Sequence, residues 1–169
     1  MKKTTFILAP LILLLFYGCA TTSITANKAD WYNQRLSRVF IYLNTPKEAE
    51  KYSEKLAAGI LSEFRQNRTE GESSIRNPLS LEPEAEILEK INEYKPHQLM
   101  FIQLTALETT NGILTGGNFE VTIIDNETEK IIWKAIIDAH GNYGLSTSID
   151  QILDKLFIKL REDGLLLVL

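Results

Sequence analysis

The sequence predicts an α/β (α+β) domain with a single mixed sheet of about four to five strands and three helices packed on it. Apolar residues run continuously or alternate in several segments, as in strands, and recur every three or four residues in others, as in helices. Capping and tight-turn residues separate these segments. The predicted order of elements is β-α-(β)-α-β-β-β-α, in one domain that covers residues 34–169.

The first strand and helix are predicted from adjacent signals. Residues 36–43 (LSRVFIYL) are β-branched and aromatic, which predicts a buried strand. Thr45 can cap the next helix, Pro46 suits its first position, and Glu48 completes a capping box. The apolar face of this helix, which we expect to end near Gln66, contains Ala49, Tyr52, Leu56, Ile60 and Phe64.

The middle of the chain is more polar. Residues 67–77 predict a surface loop, and residues 75–81 a short edge strand whose pairing Pro78 limits. A second helix is predicted to begin near Pro83 and to end at Lys95-Pro96. Its buried side would consist of Ile87, Leu88 and Ile91.

Three consecutive strands follow. Residues 98–108 are apolar on both faces, as expected of a central strand, and Asn111-Gly112 predicts a two-residue hairpin turn. Residues 118–125 alternate, and Gly116-Gly117 indicates a bulge before them. After a turn at 126–129, residues 130–139 predict the last strand, with Ile131, Trp133, Ala135 and Ile137 on one face.

The last helix is bounded by clear signals. Residues 148–151 (SIDQ) form a second capping box, and Gly164 is placed for a left-handed C-terminal cap. The predicted apolar face consists of Ile149, Ile152, Leu153, Leu156, Phe157 and Leu160.

The amino terminus has the pattern of a secretory signal peptide. Lys2 and Lys3 precede an apolar run over residues 6–17, which is shorter than the roughly 20 residues that a spanning helix needs. The run ends at Gly18-Cys19, and Cys19 is the single cysteine of the chain, so it has no partner for an internal disulfide. We therefore predict a signal peptide at residues 1–18.

Residues 16–19 (FYGC) resemble the lipobox of bacterial lipoproteins. The resemblance implies cleavage between Gly18 and Cys19, and acyl chains on Cys19 that hold the protein to a membrane. Ala20, in place of an aspartate, implies the outer membrane by the sorting rule of that family, with the domain facing the periplasm. Residues 19–33 are predicted to form the lipidated cysteine and a flexible tether, which would reach roughly 18 Å.

The composition restricts the partners. Removal of residues 1–18 takes away Lys2 and Lys3 and no acidic residue, which changes the formal charge from −4 to −6. An acidic protein is a poor ligand for nucleic acid. We expect no nucleic acid, cofactor or metal, whereas self-association stays open.

Known catalytic motifs are missing from the sequence. It has no Gly-x-Ser-x-Gly, Walker, Cys-x-x-Cys or His-Glu-x-x-His pattern. His97 is predicted at the entrance of a strand. His140 lies two residues after Asp138 and could share its strand face, which leaves a hydrolase that uses His140 and Asp138 as one alternative.

Two apolar segments could contact other molecules. Trp31-Tyr32 could pack on the edge of the domain or lie at the membrane surface. The terminal run of Leu165, Leu166, Leu167, Val168 and Leu169 could fold under the last helix or act as a docking strand for a partner protein.

The order of elements is similar to that of small envelope lipoproteins, which include the curli-secretion lipoprotein and the activator lipoproteins of penicillin-binding proteins. The similar segments are RVFIYL, KLAAGILSEF, ILEKINEYKPHQLMFIQL and IIDNETEKIIWKAIIDAHG. The resemblance implies a non-enzymatic interaction or assembly module of the cell envelope, with envelope proteins as partners. A carrier of a small ligand or lipid, with a pocket between sheet and helices, is the alternative.

Overall fold

A computed structural model gives the fold and describes residues 21–76, 81, 83–111, 113–140 and 148–167. The strands are β1 (Thr21–Lys28), β2 (Arg38–Asn44), β3 (Glu70–Arg76), β4 (Gln98–Thr110), β5 (Ile113–Asp125) and β6 (Lys130–His140). The helices are α1 (Glu50–Gln66), α2 (Glu84–Tyr94) and α3 (Ile149–Glu162), and a 3₁₀ turn (Lys47–Ala49) precedes α1. The predicted α+β class is confirmed.

The six strands that the structure describes form one mixed sheet in the order β1-β6-β5-β4-β2-β3. The β1/β6, β6/β5 and β5/β4 pairs are antiparallel. The β4/β2 and β2/β3 pairs are parallel, because α1 and α2 provide the crossovers that parallel neighbours need. The β4–β5 and β5–β6 hairpins therefore build the middle of the sheet, helical crossovers place β2 and β3, and the N-terminal β1 adds to the β6 edge.

The sheet has more strands than the predicted four to five, because the predicted tether contains β1. Residues Thr21–Lys28 pair along their whole length with β6, from Thr21 opposite His140 to Lys28 opposite Trp133. Ile24 and Ala26 pack against the core, while the alternate residues of β1 are exposed. This half-buried alternation stabilises the segment as an edge strand despite its polar composition.

The second edge strand is also longer than expected. β3 covers Glu70–Arg76, most of which was predicted to be a surface loop. Its backbone pairs with all of β2, so the polar side chains of this strand are compatible with an edge that faces solvent. Residues 77–80, including Pro78, lie outside the described part of the chain.

The core lies between one face of the sheet and the helices α1 and α3. Ile60 and Phe64 of α1 and Phe157 of α3 are buried against strand residues such as Ile41 and Trp133. The rings of Phe64 and Phe157 meet edge to face, with centroids 5.3 Å apart. The apolar faces predicted for these two helices are therefore the ones that pack on the sheet.

A bulge in β6 changes the predicted alternation. Ile123 pairs with Trp133 but Ile124 pairs with Ile131, so Ile132 is an extra residue in β6. Ile132 and Trp133 are both fully buried, whereas Ile131 is exposed. The prediction that Ile131 shares one face with Trp133 was wrong, because the extra residue of a bulge interrupts the alternation of side chains between the two faces of a strand.

The helix α2 is attached to the other face of the sheet. Its last residue, Tyr94, contacts Phe40 of β2, with ring centroids 6.0 Å apart, and the Arg38 guanidinium lies 4.6 Å from the Tyr94 centroid. Ile87 is buried, but Leu88 is exposed, which contradicts its predicted place on the buried side. The contact of α2 with the sheet is narrower than the apolar stripe of three to four residues per two turns that is typical of a packed surface helix.

The helix starts differ from the predicted capping boxes, whereas the last helix ends as predicted. Neither α1 nor α3 has a side-chain cap at its N-terminus, and the Thr45 amide donates to the Arg76 carbonyl. Gly164 has φ +72°, and the Leu165 amide donates to the Leu160 carbonyl. This is the left-handed cap that glycine permits.

Candidate functional site

Among the described residues, no helix covers one face of the sheet across β1, β6 and β5, and we call this the open face. Because α1 and α3 cover the opposite face, alternate residues of these strands point away from the core. The side chain of Ile136 in β6 is 57% exposed there, and Lys134 bridges to Glu120 at 2.7 Å. The open face therefore combines an exposed apolar side chain with charged neighbours, as the surfaces of weakly associating proteins do.

The β4–β5 hairpin extends beyond the rest of the sheet. β2 pairs with β4 only as far as Gln103, whereas β4 continues to Thr110. At about 3.3 Å per residue, the hairpin projects roughly 20 Å past the end of β2. We call residues 109–111 and 113–115 the hairpin tip. It was predicted as a turn at Asn111-Gly112, but its length and projection depend on strand pairing that the sequence does not display.

A cluster of three titratable side chains lies on the open face, at the base of the hairpin tip. His140 Nδ1 is 3.1 Å from Glu108 Oε2, and His140 Nε2 is 2.9 Å from Asp138 Oδ1. Gly116 lies between Glu108 and His140, and a Cβ atom at Gly116 would come within 2.6 Å of His140 Nδ1. The predicted proximity of His140 and Asp138 is thus present, and Glu108 is an additional member.

Both imidazole nitrogens of His140 face carboxylates, which limits the chemistry of this cluster. A hydrolytic histidine needs one nitrogen to take a proton from the nucleophile while a carboxylate orients the other. With Glu108 on Nδ1 and Asp138 on Nε2, neither nitrogen is directed at a hydroxyl of the described residues. The three side chains are also partly exposed to solvent. The geometry favours a brace between β4 and β6 over a catalytic dyad.

Glu108 was not identified from the sequence. A two-residue turn with regular pairing would place Glu108 opposite Thr115, but an extra residue in β5 shifts the pairing to Gly116. The Gly116-Gly117 pair, which indicated a bulge, was the signal for this shift.

Within the described part of the chain, no group of three or more His, Cys, Asp or Glu residues has the arrangement of a metal site. His97 lies at the opposite end of β4 from Glu108, where its Nδ1 is 2.8 Å from the Ser37 Oγ. The structure therefore does not bring the two histidines together.

The C-terminal run is largely folded into the domain. Leu165 and Leu166 are buried in the core, and the Leu165 carbonyl accepts a hydrogen bond from the Leu36 amide. Leu167 is half-buried, while Val168 and Leu169 lie outside the described residues. For Leu165 and Leu166 the structure matches folding under the last helix and contradicts an exposed docking strand, because their apolar side chains fill the end of the core.

The Trp31-Tyr32 pair lies at the end of the sheet where β1 finishes. Tyr32 is buried, and its hydroxyl accepts a hydrogen bond from Gln98 Nε2 at 3.1 Å. Trp31 is half-exposed and lies edge to face against Tyr32, with Lys130 Nζ 5.6 Å from its centroid. Packing on the edge of the domain therefore accounts for Tyr32.

Gly18 and Cys19 lie outside the described residues, but chain length limits where Cys19 can be. Its Cα atom cannot be more than about 7 Å from that of Thr21, the first residue of β1. None of the helices in the described ranges is long and apolar enough to cross a membrane.

Side chains fill the space between the sheet and the helices where a carrier would need a pocket. Ile60, Phe64, Trp133 and Phe157 are essentially inaccessible there. A cleft of about 480 Å³ instead lies at the outer edge of β3, lined by residues such as Arg65, Arg68 and Tyr94. This cleft is open to solvent and has charged side chains in its lining, unlike the enclosed apolar cavities that lipid carriers use.

Comparisons with known proteins identify the fold. No family model matches the chain, and no curated protein matches it. Among solved structures, the PelC dodecamer from Paraburkholderia phytofirmans is similar, with 16% identity and a TM-score of 0.55 over 80% of this chain and 95% of that one. A single-residue variant of that dodecamer has 13% identity and a TM-score of 0.52 over the same shares. A hemagglutinin homologue from Helicobacter pylori reaches only 0.36 at 13% identity, over 78% of this chain and 85% of that one. The chain therefore shares the PelC fold.

Proposed function

We propose that the chain is an outer-membrane lipoprotein, anchored through Cys19 and facing the periplasm, whose domain is a non-enzymatic interaction or assembly module of the cell envelope. The observation that carries the assembly role is the open face of the sheet. One side of the sheet is covered by α1 and α3, while the strands nearest to Cys19 leave Ile136 exposed on the other.

Self-association is the first form of assembly to consider. The structural neighbour named above is a dodecamer, and this chain covers 95% of it with the same fold. At 16% identity, this likeness supports a homo-oligomer only in combination with the open face. The open face has the mixed apolar and charged character of transient interfaces.

The anchor is supported by the sequence of residues 1–19. Metabolic labelling with an alkyne-tagged palmitate tests it in intact cells. We expect label on the wild type and none on the Cys19→Ser variant. Equal label on both, or on neither, would rule out this anchor.

The interaction surface can be tested separately by site-specific photocrosslinking in intact cells. A benzophenone amino acid at Ile136 probes the open face, and the same amino acid at Ile158 is the control, because that side chain is 48% exposed on α3, which packs on the opposite face. We expect crosslinked species, either dimers or complexes with envelope proteins, from position 136 and few from position 158. Equal yields would argue against the open face as the interface.

A further inference from the structure

The first residue of β1 and the hairpin tip lie at the same end of the sheet. Thr21 pairs with His140, His140 with Gly116, and Gly116 with Glu108, so these residues form one row across four strands. β4 continues for two residues beyond this row, to Thr110. Cys19 precedes Thr21 by two residues. At about 3.3 Å per residue, the end of β4 and Cys19 both reach up to about 7 Å past the row.

The side chains of the hairpin tip suit the boundary between lipid and water. The sequence has no charged residue between Glu108 and Glu120, and Ile113 is 58% exposed. The hydroxyls of Thr110 and Thr115 lie 3.2 Å apart, and that of Thr115 donates to the Glu108 carbonyl. Internal hydrogen bonds of this kind lower the cost of removing polar groups from water.

The opposite end of the same strand has different chemistry. The β5–β6 turn carries Glu127 and Glu129, and it is flanked by Asp125 and Lys130. Eleven residue steps along β5 separate Ile113 from Ile124, which pairs with Ile131, so the two ends are about 36 Å apart. Only one of these two turns is free of charge, and it is the turn at the Cys19 end.

We propose that the hairpin tip inserts Ile113 into the lipid interface beside the acyl chains on Cys19, so that the sheet stands on the membrane with the β5–β6 turn in water. This inference rests on the proposed lipidation of Cys19. Because the acyl chains already hold the domain at the bilayer, the tip meets the lipid at a high effective concentration. A small apolar contact is then enough to select one orientation.

The full chain, processed in a diderm host and reconstituted into liposomes of phosphatidylethanolamine and phosphatidylglycerol, provides the test. Ile113→Cys and Ile131→Cys variants are labelled with the environment-sensitive fluorophore NBD. The two positions are matched in residue type and exposure, 58% and 52%, at opposite ends of the sheet. With doxyl-labelled lipid in the bilayer, we expect several-fold stronger quenching of the probe at position 113 than at position 131.

Three other outcomes overturn the proposal in distinguishable ways. Two NBD groups per chain by mass spectrometry would mean a free thiol at Cys19, so that the proposed anchor and this inference fail together. One NBD group with equal quenching at both positions would leave the anchor intact and refute the insertion alone. A blue-shifted probe at position 113 that doxyl lipid does not quench would assign the tip to a protein contact.

Discussion

The indole of Trp133, which is fully buried, donates a hydrogen bond from Nε1 to the Asp163 carboxylate, with 2.7 Å between Nε1 and Oδ2. The other carboxylate oxygen accepts from Lys159 Nζ at 2.9 Å. Asp163 thus connects the C-terminal end of α3 to the bulged part of β6. The contact stabilises the position of α3 on the sheet.

Loss of this carboxylate should destabilise the domain. Asp163→Ala leaves the buried indole N–H without its acceptor, and hydrogen bonds to charged groups contribute about 1.5–3 kcal/mol. We expect the free energy of unfolding to fall by about 2 kcal/mol in urea titrations followed by tryptophan fluorescence. Glu162→Ala is the control, since Glu162 is exposed and forms a longer contact with Lys159. Equal losses in both variants would show that the indole contact contributes little.

The His140 cluster should contribute only weakly to the stability of the fold and not to catalysis. Contacts between partly exposed charged groups contribute about 1 kcal/mol or less, so His140→Ala should lower the free energy of unfolding by no more than that. If His140 only braces β4 and β6, cells that carry His140→Ala should retain the envelope phenotype of the wild type. A null phenotype with unchanged folding would revive the hydrolase alternative. Lys134→Ala, which removes the bridge to Glu120, is the matched surface control.

Alkaline pH should weaken the fold through Tyr52. Burial raises the pKa of the Tyr52 phenol well above its usual 10.0. Above pH 10 the unfolded chain loses this proton while the folded chain keeps it, so the free energy of unfolding falls as pH rises, by up to about 1.4 kcal/mol per pH unit. Burial also raises the pKa of Tyr32, in the same direction.

Urea titrations between pH 9 and 11 check this dependence on Tyr52. In Tyr52→Phe the free energy of unfolding should fall less steeply with pH. The difference in slope should approach the contribution of one proton, about 1.4 kcal/mol per pH unit. Tyr42→Phe is the control, because Tyr42 is only half-buried and its ring contacts Phe101 on the other face of the sheet. A slope that Tyr52→Phe leaves unchanged would mean that the phenol ionises without unfolding.

Hydrogen exchange should distinguish β1 from a flexible tether. In an antiparallel edge strand, alternate amides point to the neighbour, so about half of the amides of Thr21–Lys28 should exchange slowly. Residues 33–35, which have no regular structure, are the internal control. Fast exchange throughout residues 21–28 would mean that β1 is not stably paired with β6.

Local signals predicted the helices, the hairpins and the glycine cap, because each depends on residues close together in sequence. Phe64 and Phe157, for example, lie on faces that the three- and four-residue spacing of apolar residues identifies. The left-handed backbone at Gly164 follows from a single residue at the end of a helix.

The remaining features depend on partners that are distant in sequence. β1 was missed because its threonines and asparagine are typical of linkers. Only the pairing with β6 places Ile24 and Ala26 on the face that packs against the core. The bulges at Ile132 and Thr115 determine which residues face the core and that Glu108 meets His140. Such register shifts are settled by packing across strands, which a single sequence does not display.

The direct connection between Cys19 and β1 has a mechanical consequence if Cys19 carries the lipid. A pull on the acyl chains would act along the axis of β1, which lies antiparallel beside β6, and would load the β1–β6 hydrogen bonds together instead of opening them one after another. These hydrogen bonds would resist the shear that draws β1 out of the sheet. A lipoprotein whose anchor leads directly into a paired strand would withstand tension between the membrane and a bound partner.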